Sequence, residues 1–261
     1  MVILLEIKQD QQHLVFLIMC WKHLVKICIA LAIFIHQYDA IVFDCLYSME
    51  DWVILDKVYG CTVKNLKIQK GDTSVIAVTK DHLKGKTSKD VETLNIENST
   101  CTTIPKNIEK SLPNLKGLRI AQARLQSIES DDLKPFPALR ILCLWANQLQ
   151  TLDGNLLINN PKLEFLNFGS NHIRHVGPNF LDHTKNLIAV YFEENTCTNH
   201  TNQFAIDELK HELAVKCPPS FQMVEIALIN SGKLATKNDD FENKIKLLED
   251  RISELEQHAR K

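Results

Sequence analysis

The residue types here that could do chemistry are cysteine, histidine and paired carboxylates, and each has an inert reading beside a reactive one. Eight cysteines are present. Cys143 stands beside Trp145 in "LRILCLWANQL", where a thiol could be a core residue, a redox centre or an intermolecular link. Cys45 and Cys61 flank Trp52 and Leu55, and Cys197 and Cys217 flank a segment with helical spacing, so the simple pairing staples two short segments. The competing reading leaves these four as buried thiols. Cys101 falls among apolar columns and reads as a small core residue. His172 and His175, with Asp182 and His183 nearby, are metal-ligand types, but their spacing does not make them converge and no Cys or Glu completes a set. Glu193-Glu194 and Asp131-Asp132 read as solvated charge. The sequence holds no Gly-x-Ser-x-Gly, no His-Glu-x-x-His and no phosphate loop, so neither an enzyme, a cofactor nor a metal is expected. Asn98-Ser99-Thr100 and Asn199-His200-Thr201 fit N-glycosylation acceptors.

A net charge of -2 over 261 residues offers no electrostatic reason for a nucleic-acid or anionic-membrane partner. The N-terminus is unusual. From Met19, "MCWKHLVKICIALAIFIHQYDA" has a short basic start, an apolar run Ile27–Ile35 and a polar stretch ending at Ala40. That order predicts a secretory signal over 1–40, with the start at Met19, although Tyr38 is large for the cleavage pattern. The rival is an uncleaved anchor, but the uninterrupted run is about half of what spanning a bilayer requires. Both place the remainder in an oxidising compartment, and Cys20 and Cys28 would leave with the signal segment.

The residues between these points repeat. Five ungapped units of 24 begin at Lys89, Pro113, Pro137, Pro161 and Lys185. Their second leucine column is Leu94, Leu118, Leu142, Leu166 and Val190, and their third is Ile96, Ile120, Leu144, Phe168 and Phe192. A polar column reads Ser99, Ala123, Asn147, Asn171 and Asn195. This is L-x-x-L-x-L-x-x-N-x-L, the leucine-rich-repeat signature, and it predicts an α/β solenoid horseshoe. No unit can bury its apolar face alone, so stacking makes the core and the asparagines bond the turn backbones. A degenerate leading unit, 62–88, is read as starting with Val63, Leu66 and Ile68 and carrying about four extra residues. The expected domains are an N-terminal cap at 41–62, about six repeats over 63–196, a Cys-stapled C-terminal cap at 197–219 and a helical tail at 220–261. In the second cap Ile206, Leu209 and Leu213 predict a helix ending near Cys217 and Pro218.

Strand alternation turns the residues between core columns onto the concave face. It brings Ile141, Cys143, Trp145, Phe165 and Tyr191 together there, an apolar patch read as a protein-binding surface. The competing reading is that the tail or the N-terminal extension covers it. In the tail, Phe241, Ile245, Leu248, Ile252 and Leu255 step by 4 and 3, a heptad over 239–260 with Ile at a and Leu at d. That choice favours parallel dimers, against an amphipathic helix folding back on its own domain.

The order of signal segment, Cys-flanked cap, leucine-rich repeats, Cys-flanked cap and coiled coil resembles the secreted leucine-rich immune proteins of mosquitoes, over roughly residues 41–261. The resemblance implies secretion into haemolymph, dimers linked through the cysteine and coiled-coil region, and a partner that is another leucine-rich-repeat chain or a complement-like thioester protein. Two departures stand out. The coil is shorter than in the long members, which points to the short type, and no cysteine lies between Pro218 and Lys261. The expected function is a secreted binding protein of innate immunity, a homo- or heterodimer through its coil. The alternative is an extracellular adhesive or structural protein, or a membrane-tethered receptor-like ectodomain.

Overall fold

A fixed period of 24 brings the same column to the same height in every turn of a solenoid, so each column must either be buried throughout or be exposed throughout. The computed structural model describes residues 41–68 and 74–230. The signal segment 1–40 and the heptad 239–260, with Phe241, Ile245, Leu248, Ile252 and Leu255, lie outside the described residues.

The chain opens with β1 (Ile41–Phe43), β2 (Leu46–Trp52), β3 (Asp56–Lys64), β4 (Lys67–Ile68) and β5 (Val75–Val78). The repeats follow with β6 (Thr93–Glu97), β7 (Thr100–Cys101), β8 (Gly117–Ile120), β9 (Ile141–Cys143), β10 (Thr151–Leu152), β11 (Phe165–Asn167), β12 (His175–Val176) and β13 (Ala189–Tyr191). One sheet runs β13-β11-β9-β8-β6-β3-β2, parallel except for the antiparallel β2–β3 pair at its edge. Short helical turns, α1 (Ile108–Ser111) and α2 (Ser130–Leu133), return the chain across the other layer. Two longer helices close it, α3 (Ile206–Lys216) and α4 (Phe221–Asn230). This is the leucine-rich-repeat solenoid.

The leucine columns form its axis. Leu94, Leu118, Leu142, Leu166 and Val190 are fully buried, as are Ile96, Ile120, Leu144, Phe168 and Phe192. Such burial contributes on the order of 1.5–3 kcal/mol per side chain against exposure. Cys101 is buried in this core as a free thiol, and burial pushes it up to about 12.

The asparagine column accounts for the turn backbones. Asn147 Oδ1 accepts from the N–H groups of Ala123 and Leu125, both at 3.0 Å, while its Nδ2 donates to the carbonyls of Ile120 and Leu144. Asn171 does the same between Leu149 N and the carbonyls of Leu144 and Phe168, and Asn195 between Ile173 N and those of Phe168 and Phe192. Just before this column the chain turns through left-handed backbone at Asn98, Gln122, Ala146, Ser170 and Glu194, with φ between 46° and 55°. None of the five is glycine, so each turn holds a conformation that L residues adopt at a cost.

The leading unit has a different register from the one its apolar residues suggest. Cys61 pairs with Leu94 and Val63 with Ile96, so the strand columns are Cys61 and Val63, and Leu66 does not stand in them. Ile68 instead aligns with Cys101. The leading unit is therefore 33 residues long from Cys61 to Leu94, with nine extra residues where four were expected. Both registers satisfy the hydrophobic pattern. The observed one is set by the bond from Cys61 to Cys45 and by β5, which leaves the repeat to pair with β1 and close the N-terminal end.

At the other end, α3 lays Leu209 and Leu213 on the last unit, and Cys197 is bonded to Cys217. His200, buried beside it, places Nδ1 2.8 Å from Glu212 Oε2 and Nε2 3.0 Å from the carbonyl of Asn202. Glu212 also receives the Thr198 hydroxyl and the Lys216 ammonium, and these bonds hold its carboxyl down at about 2.

Candidate binding face

The strand registers lay two rows across the outward face of the sheet. The first is Gly60, Thr93, Gly117, Ile141, Phe165 and Ala189; the second is Thr62, Asn95, Arg119, Cys143, Asn167 and Tyr191. Glu97, Trp145 and Glu193 continue a third row at the strand ends. Ile141 and Phe165 thus fall in the first row and Cys143 and Tyr191 in the second, with the Phe165 and Tyr191 rings 5.2 Å apart. Trp145, Phe165, Tyr191 and Cys143 are each half-buried.

Ile141 is not open. It is only 3% exposed and packs with Leu55 and Val58, with Trp52, Ile54 and Phe165 around them. The N-terminal extension and the end of the tail lie outside the described residues; among the described residues its cover is the tip of the β2–β3 hairpin, folded over the first row. Small residues in that row make room for it. A Cβ on Gly117 would stand 2.8 Å from the Trp52 ring, and one on Gly60 would stand 2.6 Å from the Glu50 carboxylate. Glu50 anchors the tip by accepting from the Trp52 indole at 2.9 Å and the Thr62 hydroxyl at 3.0 Å. The composition of the hairpin carries no signal for this fold-over; the small residues at 60, 93 and 117 are its trace in the sequence.

Between the hairpin wall and the sheet wall runs a cleft of about 360 Å³. Its hairpin side is Glu50, Asp51, Trp52 and Val53, and its sheet side includes Asn95, Arg119, Ile141, Cys143, Phe165 and Asn167. Asn95 is 8% exposed and its Oδ1 is buried without a hydrogen-bond partner. Arg119 is exposed and has no ion pair among the described residues. Burial raises the Cys143 thiol above its ordinary range, with a smaller opposing effect from Arg119, so little thiolate is available for exchange.

A column of paired opposite charges borders the strands and escaped the sequence reading. Lys116 Nζ reaches Glu92 at 2.9 Å, and Arg140 holds Glu164 with two bonds of 2.6 and 2.8 Å. Position four of the aligned units (Glu92, Lys116, Arg140, Glu164) shows it once the period is known.

Away from this face the structure joins residues that the sequence separates. Ser88 Oγ lies 3.1 Å from His82 Nε2, and His82 Nδ1 lies 3.1 Å from the Tyr59 hydroxyl, which also accepts from Leu83 N–H. The Tyr47 ring stacks on His82 at 4.0 Å. This cluster pins the 79–90 loop to the first strands, and burial with the nearby Tyr59 pushes the Tyr47 phenol up to about 12. His175 donates from Nδ1 to the Pro218 carbonyl at 2.8 Å and so ties β12 to the end of the C-terminal cap. Asn98 and Asn199 are both exposed, and Asn199 Oδ1 accepts from Glu194 N–H at 2.8 Å, which leaves its Nδ2 outward.

No known family's profile matches the chain, and no characterised protein matches it in sequence. Solved structures do match. The APL1 leucine-rich repeat domain is 17% identical over 52% of this chain and 41% of its own, with a TM-score of 0.39. The LRIM1/APL1C complex is 17% identical over 59% of this chain and 31% of its own, at 0.42. The ectodomain of the receptor kinase SOBIR1 from Arabidopsis thaliana is 18% identical over 58% of this chain and 78% of its own, at 0.34. The chain thus spans less than half the length of the first two. Identities and TM-scores this low say nothing of activity or partner.

Proposed function

We propose that the chain is a secreted leucine-rich-repeat binding protein of innate immunity, which recognises a protein or a microbial surface through the outward face of its sheet and associates through its heptad tail. The observation that carries the reading is the half-exposed Trp145, Phe165 and Tyr191 set, with Phe165 and Tyr191 on paired strands in ring contact and Trp145 just past the end of β9. Rigid aromatics on a fixed sheet give contact area at low conformational cost, as recognition surfaces require. Two bridged caps suit an oxidising compartment. Sequons at Asn98 and Asn199 on exposed side chains agree with it.

Trp145→Ala with Tyr191→Ala tests the face. Both residues are half-buried and outside the core columns, so the variant keeps its fold. Native co-purification of the secreted full chain is expected to lose its partner by about tenfold or more in affinity, the usual cost of removing aromatic anchors. Unchanged capture by a folded variant would remove this face from recognition. N-terminal sequencing of secreted material is expected to begin at Ile41; a retained apolar segment would make the chain a tethered ectodomain instead.

A further inference from the structure

We propose that the cleft between the β2–β3 hairpin and the sheet receives an extended peptide segment of the protein partner, with an acidic residue set on Arg119 and a bulky apolar neighbour seated on Phe165 beside Trp52. The proposal rests on the reading of this face as a binding surface and names the chemistry that it takes.

Three features of the cleft select that ligand. Asn95, in the wall, has a buried Oδ1 with no donor. An acceptor left in this state is unfavourable, and a peptide N–H entering the cleft relieves it. Arg119, next to Asn95 in the same row, has no carboxylate partner among the described residues and stands free to make a charge-assisted, two-point contact. Asn167 stands two strands beyond Arg119, about 10 Å away by strand spacing. Its Oδ1 is taken by Gly169 N–H, so its Nδ2 remains as a donor for a peptide carbonyl. Acceptor, cation and donor thus follow one another along a single row, and an extended backbone offers N–H and C=O groups in that succession. The apolar floor needs an occupant with a side chain to bury, which a free anion lacks.

The two walls carry opposite sign. Glu50 is engaged by the Trp52, Thr62 and Ser48 donors, but Asp51 on the hairpin side of the mouth is an exposed carboxylate with no ion pair among the described residues. A run of acids would be repelled there, so the segment holds one acid flanked by apolar residues.

The test uses the secreted full chain and three acetylated, amidated hexapeptides that differ at one position: Glu-Leu, Gln-Leu and Lys-Leu at the centre. Binding is read by tryptophan emission and by ligand-observed magnetic resonance. The Glu peptide is expected to bind most tightly, with the Lys peptide weaker by about tenfold or more, as for a charge pair of which one member is reversed. Arg119→Glu, an exposed substitution, should invert that order. An equal response to the Glu and Lys peptides, or an order that survives Arg119→Glu, overturns the proposal. Binding of chitin or β-glucan oligomers with no peptide binding also overturns it and assigns the cleft to a glycan. If the peptides fail while Trp145→Ala/Tyr191→Ala still abolishes partner capture, this inference falls and the broader function stands; the reverse pattern leaves the cleft standing and removes the broader function.

Discussion

At the scale of single residues the molecule depends on polar groups inside an apolar stack. Asn147 is 4% exposed and satisfies the N–H groups of Ala123 and Leu125 and the carbonyls of Ile120 and Leu144, the last of which it shares with Asn171. Asn147→Ala is expected to destabilise the chain by about 2–4 kcal/mol, since each orphaned buried group costs about 1–3 kcal/mol before relaxation. Urea unfolding would measure it, and a loss near zero would mean that water replaces the side chain. The residue before it works in the opposite direction. Ala146 holds φ 55°, so Ala146→Gly should stabilise by about 0.5–1 kcal/mol, relief of left-handed strain outweighing the flexibility added to the unfolded chain. Asn147 was legible from its column. The strain at Ala146 was not, because backbone sign leaves no trace in a residue type that is common in every conformation.

At the scale of elements, the two ends show where the sequence pattern stops being informative. The C-terminal helix α3 follows from Ile206, Leu209 and Leu213, because one amphipathic helix has one way to bury that stripe. The leading unit allowed two registers, as Leu66 and Ile68 match the columns as well as Cys61 and Val63 do. Long-range constraints decided between them: the Cys45–Cys61 bond and the β1–β5 pair. The hairpin fold-over was hidden for a similar reason, since it depends on the absence of side chains at Gly60 and Gly117. Gly117→Ala would place a methyl 2.8 Å from the Trp52 ring and should lift the hairpin tip, at a cost of about 1–3 kcal/mol for the overpacking. The expected signature is a red shift in tryptophan emission with the repeat core unchanged; an unshifted spectrum would show that the ring slides aside in place. The C-terminal cap should respond to acid. The Glu212 pKa is lowered from 4.5 to about 2, so its bonds to Thr198, His200 and Lys216 stabilise the fold above about 4.5 and are lost as pH falls from there toward 2. The melting temperature of the wild type should therefore fall more steeply across that window than that of Glu212→Gln. Parallel curves would show that the cap does not depend on this carboxylate.

At the scale of the whole molecule, one surface remains that the solenoid does not use. Helix α4 is rich in apolar residues, and Phe221 is 84% exposed, Ile229 54% and Ile226 46%. A helix apolar on most of its surface does not rest against water alone. Its sequence runs on toward the heptad of Ile245, Leu248, Ile252 and Leu255, which in isolation is too short to hold a stable coil. The heptad proposed to pair two chains follows α4 in sequence, and the exposed apolar residues of α4 would add contact area to that pairing. A pair of chains joined over both segments is the arrangement expected. Residues 218–261 hold no cysteine, so pairing through them should not depend on a covalent bridge. Sedimentation equilibrium of the secreted full chain is expected to give twice the chain mass with or without reductant, and removal of residues 239–261 should give a single chain whose cleft still binds the Glu peptide. An unchanged mass after that truncation would place association elsewhere, with the charged rim and the aromatic face as the surfaces left to examine. A single-chain mass for the full chain would instead mean that the tail turns back over α4.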